Sequence, residues 1–150
     1  MKPISLLPLL VLLLVMAGCS KEVYDNPYDT HLANISTSDC LMHTDLLAAK
    51  DMALDSITVA YADGTLSVTH HNMMLDCGSG EGIATTMQMV GDTIMVTEDV
   101  GEQGRVDCLC LYNNSFYIVD LPQSPFTLVI KEVAYFCGNA ELRIVYQHTF

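Results

Sequence analysis

Apolar and polar positions alternate through most of the chain after Ser56, and the period is two. Ile57, Val59 and Tyr61 alternate with polar neighbours, Ala62-Asp63-Gly64 supplies a turn, and Leu66 and Val68 resume the alternation. Asp-Gly between alternating runs is a strong hairpin signal. A second unit has Ile83, Thr85, Met87 and Met89, a turn at Gly91-Asp92, then Ile94 and Val96. A third joins Phe116 and Ile118 to Phe126, Leu128 and Ile130 through a turn around Pro122 to Pro125. A fourth joins Val133 and Tyr135 to Leu142, Ile144 and Tyr146 through Cys137-Gly138-Asn139. About seven to nine short strands at this spacing, with no long helical pattern between them, predict an all-β fold. The expected form is an antiparallel β-sandwich, Ig-like or a related Greek key.

The N-terminal part follows other rules. Lys2 precedes an apolar stretch from Ile4 to Ala17 that ends in small residues and a cysteine. That is the layout of a secretory signal, too short and wrongly flanked for a stable membrane span. Its end, Met16-Ala17-Gly18-Cys19, resembles a bacterial lipobox, with Met16 where Leu is commonest. The resemblance implies cleavage before Cys19, lipid on Cys19, and a cell-envelope protein anchored to a membrane. Ser20 follows the cysteine, with no Asp to suggest inner-membrane retention, so the outer membrane is expected.

Residues 20–38 are polar, lack a period and contain Pro27. They read as a tether with an end-to-end distance of roughly 25 Å. The expected organisation is a signal over 1–18, a lipid-anchored tether over 19–38 and one β-sandwich domain over 39–150. Asp45 to Lys50 behind Thr44 as N-cap predicts a short helix near the N-terminus. Asn34-Ile35-Ser36 fits a glycosylation sequon, but the lipobox argues for a bacterium and against that use.

Charge narrows the partners. The chain carries 18 acidic and six basic residues, a formal net charge of −12. With no basic cluster, nucleic acid and anionic head groups are poor partners. The expected partners are the membrane, through the lipid, and a protein or glycan.

The cysteines carry the visible chemistry. Apart from Cys19 they are Cys40, Cys77, Cys108, Cys110 and Cys137. An envelope location favours disulfides over reduced ligands. Cys108 and Cys110 stand two apart in a strand, so they share a face and do not easily bond to each other. Each is expected to reach a neighbouring strand or loop, with Cys77 the first choice of partner. One of the five is left unpaired or bonded outside the chain.

The competing reading is a periplasmic soft-metal (copper or zinc) or thiol-redox protein using Cys108, Cys110 and His70. The chain has His70, His71, Met73, Met74, Met87, Met89 and Met95 among its central strands, and soft ligands suit Cu(I). However, Met87 and Met89 share the alternation of Ile83, which reads as core. If Leu66 and Val68 face inward, His70 points in and His71 out unless a bulge intervenes. A buried, hydrogen-bonded His70 is therefore expected, with no cofactor. A redox site would instead want Cys-x-x-Cys opening a helix.

Gly64 to Asn72 continuing through Leu75-Asp76-Cys77, Gly91 to Glu98, Cys108 to Tyr112 and Phe116 to Ile130 occur in an order of their own. In that order they resemble small, cysteine-containing lipoproteins of gut Bacteroidetes-type bacteria, a group with no established activity. The resemblance covers roughly Asp63 to Ile130 and implies an envelope location and a β-rich fold. Its pattern has a cysteine pair closing the first block and Tyr-Asp after the Cys-x-Cys. Here Gly78 and Asn113 stand at the second cysteine and the Asp, so the resemblance implies that Cys40 or Cys137 completes the pairing.

No enzyme signature is present. The chain lacks G-x-S-x-G and H-E-x-x-H, and Gly78-Ser79-Gly80-Glu81-Gly82 has no following Lys-Ser/Thr. Asp76, Glu81, Asp92, Glu98, Asp99 and Glu102 are acids near turns without EF-hand spacing. Tyr112, Phe116, Tyr117 and Tyr135 fit a core as well as a glycan platform. The sequence thus predicts a non-catalytic, disulfide-stapled binding or structural module.

Overall fold

A computed structural model describes residues 29–45, 55–77, 82–104, 108–136 and 138–150. The signal, Cys19, the first part of the tether, residues 46–50 of the expected helix, the Gly78–Glu81 connection and Cys137 lie outside the described residues. The described residues form nine strands and no helix: β1 (His31–Thr37), β2 (Met42–Asp45), β3 (Ser56–Ala62), β4 (Thr65–Asp76), β5 (Ala84–Val90), β6 (Thr93–Gln103), β7 (Cys108–Val119), β8 (Thr127–Phe136) and β9 (Asn139–Thr149).

They make two sheets. The first runs β1-β7-β4-β3, with β2 also on β7, and the second runs β5-β6-β8-β9. Leu66 and Val68 of β4 and Phe116 and Ile118 of β7 meet Ile94 and Val96 of β6 and Leu128 and Ile130 of β8 in one core. The expected β-sandwich is the fold. Three of the four units are hairpins, β3–β4, β5–β6 and β8–β9. The first closes on Asp63 and Gly64, both at positive φ (50° and 73°), as a two-residue turn matched to strand twist requires.

Three expectations need correction. The stretch after Ile118 does not fold back as a hairpin, because β7 and β8 lie in different sheets. In the second sheet β8 runs parallel to β6, the one parallel pair among the described residues. The assumed tether contains a strand: β1 pairs antiparallel with β7 from His31↔Val119 to Thr37↔Asn114. Its period was hidden by a register shift between Ala33 and Ser36, where Asn34 has a φ of 51°. Thr44 and Asp45, expected to open a helix, close β2 instead, paired with Leu109 and Cys108.

Bulges reset the inward face of two strands. In β4 the shift lies between His70 and Met73, with Asn72 at a φ of 57°. The freed Asn72 N–H donates to Asn113 Oδ1 at 3.0 Å. In β6 the shift lies between Asp99 and Glu102. There Gln103 accepts from the Asp76 N–H and donates to the Val100 carbonyl, so the irregular backbone stays hydrogen-bonded. Beyond the bulges, Met73, Leu75, Ile83, Val100, Cys110, Tyr112 and Ala134 form a second apolar cluster.

Candidate functional site

Between the two apolar clusters lies a polar layer, to which each of the four central strands contributes one inward-facing residue. His70 follows Val68 in β4, Glu98 lies between Val96 and Val100 in β6, and Asn114 lies between Tyr112 and Phe116 in β7. Glu132 lies between Ile130 and Ala134 in β8. His70, Glu98 and Asn114 have no solvent exposure. Strand alternation alone carries these side chains inward.

The layer is wired end to end. Asn114 Nδ2 donates to Thr85 Oγ1 (2.9 Å) and to Glu98 Oε1 (2.7 Å), while Thr37 Oγ1 donates to Asn114 Oδ1 (3.3 Å). His70 Nδ1 donates to Glu98 Oε2 at 2.7 Å, and His70 Nε2 donates to Asp55 Oδ1 at 2.5 Å. The Arg143 guanidinium then bridges Asp55 (2.7 Å) and Glu132 (3.1 Å). Two carboxylate acceptors on one ring require both nitrogens to carry protons, so His70 is an imidazolium. Burial pushes its pKa down, but hydrogen bonds to Asp55 and Glu98 and their charges outweigh this and raise it to about 9. Burial pushes Asp55 up, yet His70 and Arg143 hold it below its ordinary value. Arg143 is held above its own by Glu132 and Asp55, against burial.

The layer meets solvent on two sides. Arg143, Asp55 and Glu132 line a groove of about 350 Å³ whose floor includes Leu75, Val100 and Ala134. Thr85, at the other end, lines a cleft of about 810 Å³ between edge strands β1 and β5, with Leu32, Met87 and Met89.

His70, Asp55 and Glu132 have ligand atoms within 4.8 Å of one another, the spacing of a metal cluster. Their chemistry in this arrangement is different. Both His70 nitrogens are donors, and Arg143 already stands between the two carboxylates. Among the described residues no buried side-chain nitrogen or oxygen lacks a partner. The layer is a closed set of charges whose cations are protein groups.

The cysteines follow the expected logic and add a partner. Cys77 is bonded to Cys108 and Cys40 to Cys110, with Cα–Cα separations of 5.4 and 5.5 Å. The two members of Cys-x-Cys therefore reach different partners on opposite flanks of β7, Cys77 after β4 and Cys40 between β1 and β2. Sulfurs held in disulfides are not thiolate ligands, and Cys110 faces Leu75 whereas His70 faces Asn114. Cys108, Cys110 and His70 therefore do not converge on a metal in this structure.

His70 is buried and hydrogen-bonded, as its parity predicted, and His71 faces outward to Thr58 at 3.1 Å. Met89 and Met73 are core, Met87 packs against it, and Met74 is exposed. Tyr112 and Phe116 are buried, whereas Tyr117 points outward and is 41% exposed. Sequence reasoning grouped Glu98 with turn acids and passed over Asn114 and Glu132. The missed signal was parity, a polar residue centred in an inward apolar alternation on each strand. Asp55 and Arg143 carried no such signal, since they lie 88 residues apart and outside any common pattern. Set against family models, curated proteins and solved structures, the chain matches none.

Proposed function

We propose that this chain is a non-catalytic lipoprotein of the cell envelope, anchored through lipid on Cys19, probing no substrate and presenting a disulfide-stapled β-sandwich to a protein or glycan partner. The observation that carries the reading is the commitment of Cys108 and Cys110 to two separate bridges. Such bridges persist in oxidising compartments outside the cytosol, where the signal and the lipobox-like Met16-Ala17-Gly18-Cys19 would deliver the chain. The polar layer supports it from the other side. Every charge in that layer is answered by a neighbour, so its role is to fix strand register and sheet pairing rather than to turn over a substrate. An outer-membrane position follows from Ser20 after the lipidated cysteine.

The test is palmitate labelling of the full chain in a Gram-negative host, beside the Cys19→Ala variant, with metal content measured on the purified protein. Label confined to the Cys19 chain, fractionation with the outer membrane and negligible metal are expected. Label that survives Cys19→Ala overturns the anchor. Stoichiometric copper or zinc with reduced Cys108 and Cys110 overturns the structural reading in favour of a soft-metal or thiol protein.

A further inference from the structure

The two disulfides are not independent, because their sulfurs touch. Cys110 Sγ of one bridge lies 3.4 Å from Cys77 Sγ of the other. Cys110 is buried, while Cys40, Cys77 and Cys108 are partly accessible. The backbone holds the contact in place, since the Cys77 N–H donates to the Cys108 carbonyl and the Leu41 N–H to the Leu111 carbonyl, each at 2.9 Å.

We propose that the four sulfurs form a single thiol–disulfide exchange site for a small external thiol, in which attack on either outer sulfur, Cys108 or Cys40, transfers the bond to the touching pair Cys77–Cys110. An external thiolate attacks Cys108 Sγ and forms a mixed disulfide there. The Cys77–Cys108 bond breaks, and its electron pair leaves on Cys77 Sγ. This thiolate already faces Cys110 Sγ and needs to close from 3.4 Å to a bond of roughly 2.05 Å. Its attack forms Cys77–Cys110, breaks Cys40–Cys110 and leaves the pair on Cys40, which takes a proton from water. One thiol enters and one thiol leaves, so the number of disulfides is unchanged and no oxidant is needed.

The site is symmetric. Attack at Cys40 expels Cys110, which displaces Cys108 from Cys77 and gives the same Cys77–Cys110 bond. In the first direction the exchange frees Cys40, so the connection between β1 and β2 loses its covalent tie to β7. The second step is intramolecular between groups in contact, and it competes with return of the Cys77 thiolate to Cys108, which is also intramolecular and expels the external thiol again. This exchange goes beyond the envelope role and does not depend on lipidation.

The decisive variant is Cys108→Ser in the full chain, made under oxidising conditions, acid-quenched, alkylated after denaturation and mapped by peptide mass spectrometry. The expected result is Cys77–Cys110 as the major bridged species, with the alkyl label on Cys40. Retention of Cys40–Cys110 with the label on Cys77 overturns the proposal, as does Cys77 bonded to any other cysteine. Because the variant can fail to fold, the unmodified full chain is also exposed to equimolar glutathione and quenched over time. Glutathione on Cys108 or Cys40 together with a Cys77–Cys110 peptide is expected. Opening of the bridges without that species overturns the exchange.

Discussion

Raising the pH from neutral is expected to weaken the fold through His70. The folded state holds the His70 proton until about pH 9, whereas an unfolded histidine gives it up near 6.5. Between these values the folded chain binds more protons than the unfolded one, so stability falls as pH rises. The contribution is fully present below pH 6.5 and lost as pH passes through 9. At 1.36 kcal/mol per pKa unit, the loss is about 3 kcal/mol, a sizeable part of a typical domain stability of roughly 5–15 kcal/mol. His70 is fully buried but its partner Asp55 is 33% exposed, so solvent screening takes part of this and about 3 kcal/mol is the upper end. The assay is urea unfolding at steps from pH 6 to 10, with free thiols capped and disulfides intact, for the natural chain and His70→Gln. The glutamine variant is expected to be less stable near neutrality and to lack the downward slope. Parallel pH profiles for the two proteins, or an imidazole NMR titration near 6.5, would refute the layer as described.

Glu98→Ala leaves His70 charged and Asn114 short of an acceptor inside the sandwich, and should cost about 3–5 kcal/mol in denaturant unfolding. Asp55 is held below its ordinary value, so its contribution is present above that value and disappears as pH falls through the lowered one. Asp55→Asn should therefore flatten the acid limb of the stability profile. At Gly64, φ is +73° and a Cβ would meet no atom within 4 Å. The cost of Gly64→Ala is then one of backbone conformation, about 1–2 kcal/mol by thermal unfolding; an unchanged midpoint would count against the β3–β4 turn.

How much of this was legible follows from which interactions are local. The hairpins could be read because alternation and glycine turns lie within a dozen residues of each other. The crossover from β7 to β8 could not, since the segment around Pro122 to Pro125 breaks a strand equally well whether the chain turns back or changes sheets. The same holds for the parallel pairing of β6 with β8, which only the other sheet makes possible. β1 was lost to a single bulge at Asn34, which places Leu32 and Ile35 out of phase. In the polar layer, His70 was readable by parity, and the same rule applied to Glu98, Asn114 and Glu132 would have found them. Cys77 was the natural partner to seek for the Cys-x-Cys strand. Cys40 became its second partner only through β1 and β2 flanking β7.

The central claim is that Cys108 and Cys110 anchor two different bridges across one sheet. Disulfide mapping of the oxidised full chain by non-reducing peptide mass spectrometry, with copper and zinc measured on the same sample, tests it directly. Cys77–Cys108 and Cys40–Cys110 peptides and no stoichiometric metal are expected. Free thiols at both Cys108 and Cys110, or a metal bound one to one, would contradict it.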